Sequence, residues 1–234
     1  MALAALPSDA EKRTAVREMF ERIAPRYDAL NRLLTFGLDQ RWRRRALAAV
    51  AAGPGDLVVD VATGTGDLAA LAAARGARVV GVDYTRGMLR GARRRGVRAA
   101  LVQADAECIP LPDAVATVVT CGFSLRNFVS IDTVLREMAR VLDCGGRLAL
   151  LEVDAPRSPL VRFAHGVYFG RVVPRVGALL SDRAAYAYLP RSASYLPPGD
   201  ALLRRVRDAG FEHVTHRRLL LGAAQLVVAR RRRR

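Results

Sequence analysis

From Val58 to Tyr84 the chain reads VVDVATGTGDLAALAAARGARVVGVDY. An apolar, β-branched run stops at two glycines, an alanine-rich helical run follows, and a second β-branched run ends on an aspartate. Strand, turn, helix, strand is the order of a parallel βαβ unit. Gly64 and Gly66 let the backbone turn sharply and approach a ligand with no Cβ in the way, and the helix behind them offers free N–H groups. Ala69 takes the third position of a G-x-G-x-x-G/A pattern, which dinucleotide, flavin and S-adenosylmethionine sites all use.

Outward from this unit the same alternation continues. GPGD at 53–56 is a turn signal. Strand candidates at 57–61, 78–82, 98–102, 115–121 and 147–153 are interleaved with helix candidates at 86–95 and 131–142. That predicts a parallel sheet with helices on both faces. Upstream, Ser8 and Glu11 form a capping-box pair, and Val16, Met19, Phe20 and Ile23 repeat at helical spacing until Pro25. A second helical stretch, with Leu30, Leu33 and Leu34, runs to Gly37. Downstream, an irregular stretch rich in Pro, Tyr and Gly over 156–198 leads to a helix at 200–209 and two strand-like runs over 211–230, expected as a hairpin at the sheet edge. The chain reads as a single α/β domain, 1–234, with a helical cap over 1–50 and a substrate-side insertion over 156–198.

Composition narrows the class. Hydrophobic residues make up 51% of 234, enough for a sizeable core. The longest apolar run, 219–229, is shorter than the roughly 18 residues a bilayer span needs, and the N-terminus lacks a basic region ahead of a long apolar stretch, so no cleaved secretion signal is expected. Cys108, Cys121 and Cys144 have no metal-ligand spacing and close no disulfide framework, which points to a reducing cytoplasm and no metal. The formal charge is +16, with Lys12 the only lysine. Such charge draws a protein to nucleic acid or to an anionic membrane, and equally follows from a composition rich in alanine and arginine. The arginine runs at 41–45 and 230–234 read as solvated faces or tails. No basic motif interleaved with aromatics occurs, so no nucleic-acid partner is expected.

The ligand is discriminated further along. Asp83 ends the second strand where an acid accepts both ribose hydroxyls. Asp105, after the third, stands where it accepts a hydrogen bond from an adenine amino group, with Ala106 and Ile109 flanking the ring. The fourth strand ends at Cys121 and Gly122, facing the cleft. Two acids at successive strand ends, with no pyrophosphate to hold, fit S-adenosylmethionine better than a dinucleotide.

The stretches MFERIAPRYDALNRLLTFGLDQRWRR, VVDVATGTGDLA, FSLRNF, EMARVLDCGGRLALLEVDAP, VVPRVGALLSD and AYAYLPRSASYLPP follow one another in the order found in one family. On them the chain resembles the ubiquinone/menaquinone biosynthesis C-methyltransferase family over nearly its whole length. The resemblance implies a Rossmann-like class I S-adenosylmethionine-dependent methyltransferase, with a seven-stranded, mostly parallel sheet and an antiparallel C-terminal strand. It implies that Thr65, Asp83, Asp105, Ala106 and Gly122 contact S-adenosyl-L-methionine, and Asp60, Gly64 and Gly66 complete the candidate cofactor-binding set. The implied acceptor is a prenylated quinol, foremost demethylmenaquinol, reached from the cytoplasm through transient contact with the anionic inner face of the membrane. A homodimer is compatible with this. Two departures stand out: Ser124 where the family usually has glycine, and Asp39 where histidine is frequent.

Methylating an aromatic carbon requires a neighbouring hydroxyl to lose its proton and push charge into the ring, so the protein must orient both reactants and stabilise the phenolate. Arg126 and Asn127 are the candidate catalytic residues. Arg126 is always protonated, hence an electrostatic stabiliser or the organiser of a water; a loop-fixing ion pair is its plainer role. Asn127 orients a ring oxygen. Tyr27 and Asp28 either close over the site or serve as core tyrosine and cap. His165 is a conceivable base that the family pattern does not place, while His213 and His216 read as structural or exposed. Phe163, Tyr168, Phe169, Tyr186, Tyr188 and Tyr195 are candidates to line a prenyl channel. Two rivals stay open: a methyltransferase of the same fold acting on another aromatic metabolite, and an RNA-binding or RNA-methylating protein.

Overall fold

The computed structural model describes residues 9–154, 156, 158–173, 175, 192 and 195–233, without the side chains of residues 9, 10, 164, 165, 169 and 172. Strands β1 (Leu57–Val61), β2 (Arg78–Asp83), β3 (Ala100–Gln103), β4 (Ala116–Gly122) and β5 (Leu142–Val153) run parallel. The antiparallel β7 (Ala224–Arg231) lies between β5 and β6 (Phe211–Leu219). The order β3-β2-β1-β4-β5-β7-β6 reverses its direction of growth between β1 and β4. At such a switch point the connections leave to opposite faces, and a crevice opens beyond the carboxyl ends of the strands.

Strands buried on both faces carry near-continuous apolar runs, and Val58, Val59 and Val61 of β1 are fully buried. One face is covered by α6 (Ile131–Val141) and α8 (Gly199–Asp208), through Leu135, Met138, Leu202 and Val206. The other is covered by α3 (Leu38–Ala49) and α4 (Asp67–Ala74), through Trp42, Leu47, Leu68 and Ala72. Helices α1 (Asp9–Ile23) and α2 (Tyr27–Leu34) pack with Met88 of α5 (Arg86–Arg94) in a third cluster over the crevice. Helix α7 (Pro159–Val167) follows β5 and runs into a π-turn, Tyr168–Val172. Among the described residues no helix is long and apolar enough to cross a membrane.

The structure departs from the sequence expectations in several places: α7 and its π-turn lie within the stretch expected to be irregular, and β5 begins at Leu142 rather than at 147. The arginine run at 41–45 is the middle of α3: Arg41, Arg44 and Arg45 form the exposed face expected of them, but Trp42 and Arg43 are buried with Asp39, Ala46 and Leu47, at spacings of three and four. Charge masked an ordinary helical stripe whose two ionic members, Asp39 and Arg43, neutralise each other 2.6 Å apart. The expected edge hairpin exists, but only β6 is at the edge, and Arg231, expected in a tail, belongs to β7 and donates to the Leu142 carbonyl. The third strand begins at Ala100 because Ala99 N–H turns back to the Val97 carbonyl at 2.9 Å. Ser8 of the capping-box pair lies outside the described residues.

Candidate cofactor and acceptor site

The glycine turn forms the floor of the crevice. Gly64 has φ +60°, and a Cβ there would meet nothing within 4 Å, so the position looks onto open space. Gly66, at φ +82°, would set a Cβ 3.0 Å from Val97; its lack of a side chain lets the turn approach the segment after α5. Ala62 and Phe123 also adopt left-handed φ values, 54° and 61°, just past the ends of the two central strands. Such strain concentrates where a surrounding structure enforces it for a site. Asp60 is buried within β1 and accepts from the hydroxyls of Thr63 at 2.6 Å and Thr120 at 2.7 Å. Burial pushes its carboxyl up to about 6, against those hydroxyls. It ties the turn to β4.

Asp83, at the carboxyl end of β2, accepts the Gly64 N–H at 2.8 Å and the Thr85 N–H at 2.7 Å. Its carboxyl too is raised by burial to about 6, although both amides favour the charged form. Asp105 accepts from Arg13 at 2.8 Å and from the Glu107 amide at 2.9 Å, and Arg13 also reaches Glu107 at 2.9 Å. Of the eight candidate cofactor residues, Asp60, Gly64, Thr65, Asp83, Asp105, Ala106 and Gly122 border one cleft of about 1060 Å³, counting the solvent open at its mouth. Gly66 does not border it and acts through the turn. Ile109, expected beside the ring, is a core residue at 2% exposure, and Cys121 faces the core, its thiol pushed up by burial.

The cap is fastened to this turn by ions. The Thr65 hydroxyl donates to Asp28, which also pairs with Arg95 at 2.8 Å. Asp67, the first residue of α4, accepts from Arg95 at 2.7 Å, Gln40 at 3.0 Å and Arg32 at 3.2 Å, with Arg43 at 3.8 Å. The arginines, Arg43 foremost, hold its carboxyl below the usual range despite burial. A carboxylate at a helix N-terminus is favoured by the exposed N–H groups. Sequence reading missed Asp67, Arg43 and Arg13. The opposite charges at 39 and 43, inside an i, i+3, i+4 stripe, were an available signal for Arg43; no local signal marks Arg13, whose partners are 92 and 94 residues away.

Asn127, Ser124, Phe128 and Val129 border the same cleft, as do Val16, Phe20 and Tyr27 of the cap. Ser124 donates to the Gly122 carbonyl at 3.2 Å. Arg126 does not border it: it is buried, its Nη1 against Glu152 and its Nε 3.1 Å from the Ser192 hydroxyl. Tyr27 is half-buried, and desolvation raises its phenol while Arg43, Asn31 and Arg126 pull the other way. No described histidine side chain borders the cleft; that of His165 lies outside the described residues, as do those of Phe169, Tyr186 and Tyr188. Of the channel candidates that are described, none borders the cleft. Phe163 is 72% exposed, Tyr168 donates to the Leu34 carbonyl at 2.8 Å, and the Tyr195 ring lies 4.5 Å from the Lys12 ammonium.

A sheet with β7 inserted antiparallel, and a glycine-turn cleft at its switch point, define the Rossmann-like class I fold of S-adenosylmethionine-dependent methyltransferases. A possible histamine N-methyltransferase from Thermotoga maritima superposes with a TM-score of 0.64 at 20% identity, over 93% of this chain and 100% of that one. The [4+2]-cyclase SpnF does so at 0.69 and 17%, over 99% of both chains. At these identities they show the fold alone. The chain belongs to the ubiE/COQ5 methyltransferase family, whose sequence model matches residues 8–231. It is 43% identical to a demethylmenaquinone methyltransferase of Roseiflexus castenholzii over 94% of this chain and 95% of the relative. It is 44% identical to one from Thermus thermophilus, over 91% and 100%. A ubiquinone/menaquinone biosynthesis C-methyltransferase UbiE from Syntrophotalea carbinolica is 43% identical over 90% and 91%.

Proposed function

We propose that the protein transfers a methyl group from S-adenosylmethionine to a ring carbon of a prenylated quinol, demethylmenaquinol in the first instance, on the cytoplasmic side of a membrane. The observation that carries the cofactor half is Asp83: a buried carboxylate, held by the Gly64 and Thr85 amides beside an open glycine turn, fits the ribose of that donor. When bound, the donor supplies an electrophilic methyl on a sulfonium. Asp105 and Ala106 would meet the base, with Arg13 bridging Asp105 to the cap.

The acceptor half rests on the cleft's far wall. Val16, Phe20, Met88, Phe128 and Val129 give it an apolar lining suited to an aromatic ring. Asn127 is placed to orient a ring oxygen. Arg126, paired with Glu152 behind the wall, holds the turn that carries Asn127, while Arg43 itself borders the cleft. The chain thus supplies orientation and charge. The relatives' names point to the same substrate class.

The test is mass spectrometry of full-length protein incubated with the donor and reduced demethylmenaquinone in detergent. A product one methyl heavier, formed only with the donor, is expected. Tight donor binding with no methylation of the quinol, but turnover of a different aromatic compound, would replace the acceptor and leave the fold and cofactor assignment intact.

A further inference from the structure

Six of the large apolar side chains left exposed cluster on three tips. Leu33 and Phe36 lie on the α2–α3 turn, 52% and 77% exposed; Leu160 and Phe163 lie on α7, 77% and 72%; Leu220 and Leu221 lie on the β6–β7 turn, 52% and 76%. The tips neighbour one another. Tyr168, just past α7, packs its ring on Phe36 at 6.0 Å and bonds the Leu34 carbonyl. Trp42 of α3 shares a core cluster with Leu219 and Ala224, which flank the β6–β7 turn. Ala224 pairs with Val153, the last residue of β5, from which the chain leads to α7. All three tips therefore stand off the carboxyl edge of the sheet, the edge on which the cleft opens.

The backbone at these tips is built against local preference. Phe36, Leu220 and Leu221 have φ of 52°, 45° and 55°. A residue with a Cβ is strained in that region, where glycine or asparagine would sit at ease. An exposed leucine recovers none of that by burial within its own chain. The surroundings are cationic: Arg162 separates Leu160 from Phe163, exposed Arg171 and Arg175 follow α7, and exposed Arg217 precedes the β6–β7 turn, in a chain of net charge +16. Apolar tips in an arginine field complement an anionic bilayer, where the leucines enter the acyl boundary and the guanidinium groups stay with the phosphates.

We infer that this face docks the protein on an anionic lipid bilayer, presenting the mouth of the cleft to a substrate held there; the inference rests on the prenylated-quinol reading for its purpose but not for its test. Vesicle flotation with full-length protein provides that test. Binding to vesicles of equal phosphatidylglycerol and phosphatidylcholine is expected, with little to phosphatidylcholine alone. A triple variant, Phe36→Asn, Leu220→Asn and Leu221→Asn, should lower the partition coefficient by about tenfold or more, keep or raise its melting temperature, because asparagine suits left-handed φ, and bind S-adenosylhomocysteine as before. Vesicle binding by the triple variant equal to wild type, or no preference of the wild type for anionic vesicles, would overturn the proposal. So would a dimer in solution that the substitutions dissolve, since the face would then bind a second copy. Vesicle binding that survives failure of quinol methylation would keep the docking surface and discard the acceptor.

Discussion

Asp83 is a carboxylate poised between two tasks. Burial lifts it from 3.8 to about 6, so between those values the folded protein holds a proton that the unfolded chain has released. That contribution to stability is present at low pH and is lost as pH rises through about 6. Cofactor binding runs the other way, because only the ionised carboxylate accepts both ribose hydroxyls. Affinity for S-adenosylhomocysteine should therefore climb through about pH 6 and level off above it, a profile that calorimetry resolves. Asp83→Asn should weaken binding by about 10- to 100-fold, the worth of one or two lost bonds to a charged group, and flatten the profile; an unchanged profile would move the titration to Asp60, which lies in the same range. Asn127→Ala, by contrast, should lower kcat by about tenfold or more while leaving cofactor affinity within about twofold, if it orients the acceptor.

At the scale of elements, the 3₁₀ turn Leu125–Asn127 is pinned to the end of β5 by the buried Arg126–Glu152 pair. Removing one member leaves an uncompensated buried charge, at a cost of about 3–5 kcal/mol. Arg126→Ala should thus lower the denaturant midpoint along with turnover, and activity alone cannot assign it a role. The double variant Arg126→Met, Glu152→Leu should be more stable than either single one, and its residual turnover reads the electrostatic share of Arg126. The cap is held differently. Asp67 gathers Gln40 and three arginines, and its lowered pKa means that its stabilisation exists above its ordinary value and fades as pH falls through the folded one. Asp67→Asn should cost more at neutral pH than near pH 3, and should speed amide exchange in α2 and α3.

On the scale of the whole molecule, the last strand is central. Among the described residues β6 pairs only with β7, and β7 fills the space beside β5, with Val227 and Ala229 at 1% exposure. Deleting residues 224–234 should abolish cooperative unfolding, whereas deleting 233–234 should leave the transition in place; circular dichroism melts distinguish the two. The apolar residues of β7 carry this role, while Arg230, Arg232 and Arg233 are exposed.

Repeating apolar residues, two glycines and acids at strand ends were enough to specify the doubly wound sheet and to bring Gly64, Asp83, Asp105, Ala106 and Gly122 to one cleft, because periodicity and turn chemistry are local properties that each segment carries alone; Thr65 came from the family resemblance. Ion pairs were not legible in this way. Nothing near Arg126 in sequence says that it turns from the cleft to Glu152, 26 residues on, nor that Arg13 reaches Asp105 and Glu107, nor that Arg43 is buried. Whether a charge faces solvent, ligand or a counter-charge depends on which distant backbone the fold brings alongside. In a chain with 38 basic residues that choice belongs to the tertiary structure.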